Sequence, residues 1–150
     1  VIGYPDTSFL CALYVIQNNS AQAIAHVQRM SEPIHVTGLL LYGFRQSVRL
    51  QTYLHRQDKH KGYPDAVADT ALAYLQANIA SGSLVVVPTD TADVLAKAEH
   101  LSAQFTGTEG HRAFDVMHVA TALHLGAREF LTFDDRQRKL AIAAGLKVKP

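Results

Sequence analysis

Short apolar runs take turns with longer amphipathic stretches along this chain, and that alternation constrains the fold most: it reads as a parallel sheet covered by helices. Val1 to Tyr4 has strand composition and is broken by Pro5, after which Asp6, Thr7 and Ser8 offer N-cap chemistry to a helix carrying Phe9, Leu10, Leu13 and Ile16. Asn18, Asn19 and Ser20 end that helix and cap a second one reaching Met30, and Pro33 introduces a strand at Ile34 to Val36. Thr37 starts a long helix to about Gln57, with Leu40, Leu41, Phe44, Val48 and Tyr53 near helical spacing. A further helix, Pro64 to Ser81, stops at Gly82, before the β-branched strand Leu84 to Val87. Thr89 or Thr91 is the expected cap of a helix ending near Phe105, followed by a loop from Thr106 to His111. Ala113 to Leu125 forms the next helix and Glu129 to Phe133 the next strand. Asp134 or Asp135 caps the last helix, and Leu146 to Val148 forms a final strand. The expected class is α/β.

The chain has 150 residues, enough for one domain that removes about 70% of its unfolded surface from water. At 48% hydrophobic and 18% charged it is no disordered or low-complexity protein. A formal charge of +1 gives no overall basic field, so contact with nucleic acid has to come from local patches. The longest apolar run, Phe9 to Ile16, has eight residues, well short of the roughly 18 needed to span a bilayer. No basic segment precedes it, so a signal peptide and a membrane location are not expected. Cys11 is the only cysteine and stands in an apolar stretch, which suits an inert buried thiol and a reducing cytoplasm.

Three aspartates share one context, the passage from strand to helix or the start of a helix: Asp6, Asp115 and Asp134. In open parallel sheets ligands bind beyond the carboxyl ends of the strands, so Asp6 and Asp134 can face one cleft with Asp115 arriving from a helix start. Converging carboxylates suit magnesium or manganese, hard cations that prefer oxygen ligands. Helix capping accounts for each aspartate taken singly, at about 1 kcal/mol per N-cap. Spacing alone leaves the choice open.

The opening Tyr4-Pro5-Asp6-Thr7-Ser8-Phe9-Leu10, the segment Arg112 to Leu123 and the segment Phe130-Leu131-Thr132-Phe133-Asp134-Asp135-Arg136-Gln137 resemble, in order, the three best-marked blocks of the PIN-domain ribonucleases, the VapC-like toxins especially. The resemblance covers essentially the whole chain, as one PIN domain over 1–150. It implies a three-layer α/β/α sandwich around a mostly parallel sheet, and an Mg2+- or Mn2+-dependent acidic site that hydrolyses RNA to leave a 5′-phosphate. It assigns metal-binding and catalytic roles to Asp6, Asp115 and Asp134, and supporting roles to Thr7, Ser8 and Thr132. It also implies a homodimer and a small cognate antitoxin covering the cleft. Asp135 competes with Asp134 and ranks second, because Asp134 directly follows Leu-Thr-Phe.

The resemblance aligns the family's further glutamate with Gly43. A glycine inside a helix costs roughly 1 kcal/mol relative to alanine, so helix propensity does not explain it. Either a tight helix contact requires glycine, or a metal-binding carboxylate has been lost and the nuclease is attenuated. Two other readings stand beside the toxin: a catalytically silent PIN module that binds RNA or a partner protein, and another metal-dependent phosphotransfer enzyme using the same pocket.

The remaining candidates are weaker. His111, His118 and His124 lack the spacing of a helical zinc pair, and His118, one turn beyond Asp115, is expected to be a satisfied packing residue. Arg112, Arg136, His111, Arg138 and the loop from Arg56 to Lys61 could meet RNA phosphates or simply be solvated. Tyr42, Phe44 and Tyr53 are expected in the core or an interface rather than as base-stacking platforms.

Overall fold

Five strands of three residues each form the centre of a computed structural model that describes residues 1–150. They are β1 (Gly3–Pro5), β2 (Ile34–Val36), β3 (Leu84–Val86), β4 (Glu129–Leu131) and β5 (Lys147–Lys149). All pairings are parallel: β1 with β4, β4 with β5, and β2 with β3. β1 lies beside β2, but the ladder is interrupted there, leaving a three-stranded and a two-stranded piece. Pro5 supplies a reason. The Asp6 N–H donates to Leu131 O, so by the alternation of a strand the Pro5 nitrogen faces the other side, where it has no hydrogen to give.

The helices are α1 (Thr7–Tyr14), α2 (Ser20–Arg29), α3 (Gly38–Gln57), α4 (Asp65–Ala80), α5 (Thr91–Leu101), α6 (Gly107–Glu109), α7 (Ala113–His124) and α8 (Asp135–Ala143). α1 packs on α2, α3 and α4, whereas α7 packs on α5 and α8. Two helical groups with a parallel sheet between them give the α/β architecture expected. The main apolar cluster runs from Tyr4 and Phe130 on the strands to Leu40, Phe44 and Val48 on α3 and to Val116 and Val119 on α7.

Several boundaries differ from the sequence reading. Pro5 closes β1 rather than breaking it, and β5 is shifted one residue toward the C-terminus. β4 stops at Leu131 instead of Phe133, because Thr132 and Phe133 turn toward the site. α1 ends at Tyr14, and Ile16, expected on its buried face, is 98% exposed. The Ser20 hydroxyl receives the Gln17 N–H and donates to Val15 O, holding the extended exit between the two helices. α5 is capped by Asp90 and not by Thr89 or Thr91; its carboxylate accepts from the N–H groups of Ala92 and Asp93. The stretch expected to be a loop after Phe105 stays helical, as a π-turn from Ser102 to Thr106 followed by α6, and ends at Gly110 with φ 71°. A positive φ there favours glycine, which terminates the helix. Thr37 and Asp134 cap α3 and α8, and no helix is long and apolar enough to cross a membrane.

Candidate functional site

The ends of β1 and β4 lie side by side, and a hydrogen-bonded ring of side chains joins the two strand-to-helix junctions. Asp6 is fully buried and caps α1 through the Phe9 N–H, 2.9 Å from its Oδ1. The same oxygen accepts from Ser8 Oγ at 2.7 Å, and Oδ2 accepts from Thr132 Oγ1 at 2.6 Å. Thr132 Oγ1 in turn accepts the Asp134 N–H at 2.9 Å, and Ser8 Oγ accepts the Phe133 N–H at 2.9 Å. The two threonine and serine hydroxyls thereby tie a carboxylate near the start of the chain to the turn at residue 134. Burial pushes the Asp6 carboxyl up to about 6. The bonds from Thr132, Ser8 and Phe9 pull it down, and the nearby Asp134 charge raises it further.

Asp134 caps α8: its Oδ1 receives the N–H groups of Arg136 at 2.8 Å and Gln137 at 3.0 Å. Its other oxygen lies 3.7 Å from the guanidinium of Arg112. Arg112 Nε also donates to Asp115 Oδ2 at 2.9 Å, one helical turn along the chain, so a single cation bridges Asp115 and Asp134. The Asp115 bond and charge raise the Arg112 pKa above its ordinary value. The Arg112 side chain remains 63% exposed and holds the pair from the solvent side.

Asp115, Asp134 and Arg112 line a cavity of about 550 Å³ with Thr7, Ser8, Tyr42, Gly43, Phe114, His118 and Gln137. Asp6 sits behind Ser8 and Thr132 rather than on the cavity wall. Thr7 Oγ1 and His118 Nε2 hydrogen-bond at 3.1 Å across Gly43. A Cβ built on Gly43 would stand 2.9 Å from Thr7 Oγ1, 3.5 Å from Phe114 Cε1 and 3.8 Å from His118 Nε2. The close contact is with the tip of a side chain that can rotate, so the glycine is favoured by this arrangement without being enforced by backbone.

His118 is buried, and desolvation drops it to about 4, which keeps the ring neutral. Its Nδ1 has no partner, so the expectation of a satisfied packing histidine is only half met. Cys11 is half-buried on the cavity wall, with its thiol 3.7 Å from Ser47 Oγ and its pKa raised by burial. Arg138 is not a free phosphate contact, because its guanidinium donates to Thr132 O and Pro150 O. His111 is buried against Glu109, and Arg56 pairs with Asp65. Arg136 is exposed and enters the site only through its backbone N–H. Phe44 is core as expected, whereas Tyr42 and Tyr53 are exposed.

The donors around the cavity are hard oxygens, the set that magnesium and manganese prefer. The cleft already attracts a positive group, since Arg112 is drawn to two carboxylates. A ready-made cluster is nonetheless lacking: no three His, Cys, Asp or Glu side chains stand close enough to hold a metal together. Arg112 neutralises Asp115 and Asp134, and both Asp6 oxygens are engaged by hydrogen bonds. The oxygen donors of Asp115 and Asp134 suit the cation by their chemistry, and both face the exposed guanidinium of Arg112.

A family model described as PIN domain matches residues 3–143. Among solved structures, the fold is similar to VapC20 of Mycobacterium tuberculosis, a toxin that cleaves the sarcin-ricin loop, at 19% identity and a TM-score of 0.65 over 99% of both chains. It is similar to VapBC2 from Rickettsia felis, solved with a promoter DNA fragment, at 10% identity and a TM-score of 0.68 over 99% of this chain and 98% of that one. FitAcB of Neisseria gonorrhoeae is matched at 16% identity and a TM-score of 0.64 over 99% of this chain and 97% of that one. No curated protein sequence gives a significant match.

Proposed function

This chain belongs to the PIN-domain family, and from that premise we propose that it is a VapC-like toxin, an endoribonuclease that hydrolyses RNA phosphodiester bonds with Mg2+ or Mn2+. The observation that carries the reading is the linkage of three distant aspartates, Asp115 and Asp134 on the cleft wall and Asp6 behind it, through Thr132 between Asp6 and Asp134 and through Arg112 between Asp134 and Asp115. Asp6, Asp115 and Asp134 would hold the ion. Bound there, a divalent cation would lower the pKa of a water and stabilise the leaving oxygen in an in-line displacement.

The chain's own residues then have distinct tasks. Ser8 and Thr132 fix both oxygens of Asp6, so its carboxylate cannot rotate freely. Arg112, once released from Asp115 and Asp134, is a long exposed cation at the cleft mouth and suits an RNA phosphate, which it would hold without reading sequence. Thr7 and His118 span the space over Gly43, the place of the missing family glutamate. With one carboxylate fewer, metal affinity and turnover are both reduced. The test is cleavage of a labelled single-stranded RNA with added Mn2+: cleavage that Asp115→Asn abolishes supports the reading, and metal-independent cleavage sinks it.

The same Gly43 and the bridging Arg112 favour a second reading, a catalytically silent PIN module that binds RNA or a protein. Cleavage that stays absent both in the natural chain and after a well-folded Gly43→Glu change selects it. Relatives of this fold have been solved as VapBC assemblies, which supports a cognate antitoxin as partner. Apolar side chains exposed on and after α1, on α2 and on α4, among them Ile16, Ile24 and Tyr74, offer a surface of the kind that an antitoxin or a second copy covers.

A further inference from the structure

Beside the acidic cleft the fold leaves two aromatic rings in the open, Tyr42, which sequence periodicity assigns to the core or an interface, and Phe114. Tyr42 on α3 is 55% exposed and Phe114 on α7 is 42% exposed. Their ring centroids are 6.1 Å apart at 49°, and the Phe114 ring meets the His118 ring edge-on at 5.8 Å. Tyr42 directly precedes Gly43, and Phe114 directly precedes Asp115, so both rings sit one residue from the positions that define the cleft. All of these residues line one cavity.

Gly43 governs the space between the rings and the carboxylates. A Cβ there would stand 2.9 Å from Thr7 Oγ1 and 3.5 Å from Phe114 Cε1, so the glycine leaves room for the Thr7–His118 pair and for the edge of the Phe114 ring. The same wall carries polar groups that lack partners. Gln137 is 4% exposed with its Oε1 unsatisfied, and His118 Nδ1 is likewise unsatisfied. Both atoms are closed off from solvent, so what this wall offers a ligand is its rings and the exposed Arg112 side chain.

We propose that Tyr42 and Phe114 form a shelf on which one unpaired RNA base stacks, next to the phosphate that Arg112 holds at the cleft mouth. This rests on the ribonuclease reading for the identity of the polymer. An aromatic face accepts any base and a cation anchors the adjacent phosphate, which is the common way single strands are bound. Bases in an A-form duplex are stacked on each other and closed to such a shelf, so the site takes loops and single strands and refuses helical RNA.

The test uses the whole chain in EDTA, so that binding is read apart from cleavage, with a short single-stranded RNA containing 2-aminopurine and the same RNA in a duplex. The natural chain should quench the fluorescence of the single strand and bind the duplex at least about tenfold more weakly. Tyr42→Ala with Phe114→Ala should weaken single-strand binding roughly 10- to 100-fold, the size of one base stack. Tyr42→Phe should keep it. Both rings are exposed, and circular dichroism checks that the variants fold. Replacing the stacked base by an abasic ribose should cost the natural chain as much as the double substitution costs, and should cost the double variant nothing more.

Unchanged binding after ring removal, equal affinity for the duplex, or no RNA binding at all overturns the shelf; in those cases the rings belong to another contact, such as a partner protein. Failure of the two readings is separable. RNA bound through the rings but never cut with Mn2+ sinks the ribonuclease reading and leaves the shelf. RNA cut at the natural rate by the double alanine variant does the reverse.

Discussion

Asp6 and Asp90 do the same local job in very different places. Each follows a strand and caps a helix, Asp6 through the Phe9 N–H and Asp90 through those of Ala92 and Asp93. At the β3–α5 junction the polar groups find partners at the surface. The Asp90 N–H reaches His124 Nε2, Asp93 pairs with Lys97 and with His124, and Asp90 itself is exposed. At the β1–α1 junction the carboxylate is sealed behind Ser8 and Thr132, and burial raises its pKa to about 6. A cap needs a carboxylate at one helix end and nothing more. Full burial of that carboxylate beside Asp134 works against stability, a cost that a cap alone does not explain and the proposed metal site does.

Activity separates the two junctions most widely. Asp6→Asn or Asp115→Asn should reduce Mn2+-dependent RNA cleavage by at least about 100-fold, since outer-shell changes alone cost 10- to 100-fold at metal sites. Asp90→Asn should leave the rate unchanged, and a comparable loss there would erase the distinction. In the other direction, Gly43→Glu should increase cleavage several-fold.

Stability should move the opposite way. The Asp6 carboxyl has a folded-state pKa raised from 3.8 to about 6, so the folded chain takes up its proton first as pH falls. The cost of burying the charge is therefore present in full above pH 6 and relieved as pH drops toward 4. Asp6→Asn should stabilise the metal-free chain by up to about 3 kcal/mol at pH 7 and by nothing near pH 4, as read by urea denaturation. Asp90→Asn should change stability by less than about 0.5 kcal/mol, because the two residues cap equally well.

His118 carries the opposite sign. Its pKa is lowered from 6.5 to about 4, so the unfolded chain takes up the proton first and stability falls as pH drops through that window. The two effects offset each other in the natural chain, giving a shallow profile between pH 4 and 6. In Asp6→Asn the His118 loss, up to about 3 kcal/mol between pH 6.5 and 4, should stand alone. A profile that remains shallow in the variant would show that the ring is not held neutral.

The effect on stability at Gly43 should also be small. A glutamate there gains about 1 kcal/mol of helix propensity and displaces the Thr7 hydroxyl from His118, a bond worth about 1 kcal/mol. Gly43→Glu should therefore alter stability by less than about 1 kcal/mol. A larger loss would mean that the helix contact, and not a lost ligand, explains the glycine.

Most elements were legible because strong local signals agreed with packing. Thr37 before a periodic apolar face gave α3, and the apolar run ending at Gly126 gave α7. Of Asp134 and Asp135, either of which can cap α8 by sequence, the structure uses Asp134. Asp90 stands between two threonines that can also cap, and the local sequence does not fix which of the three the helix starts from. The turn from Ser102 to Glu109 hid behind glycines and threonines that read as loop. Ile16 fits a helical face by spacing, but spacing does not tell where a helix stops.

At the site, the acidic trio was marked by pattern and resemblance, while its neighbours depend on contacts between distant segments. The position of Arg112 three residues before Asp115 is a signal for one ion pair, since it puts Arg112 at the N-cap of α7 and Asp115 in the first turn. Its second carboxylate, Asp134, comes from another helix and left no local trace. The exposure of Tyr42 and Phe114 is likewise a product of how α3 and α7 meet.

The central claim, that Asp6, Asp115 and Asp134 serve one divalent ion, is tested most directly by titrating the chain with Mn2+ and following the loss of the free-ion EPR signal. The account predicts one weak site, lost in Asp115→Asn and Asp134→Asn, retained in Asp90→Asn and tightened in Gly43→Glu. Binding that ignores the first two substitutions, or no binding in either the natural chain or Gly43→Glu, would contradict it.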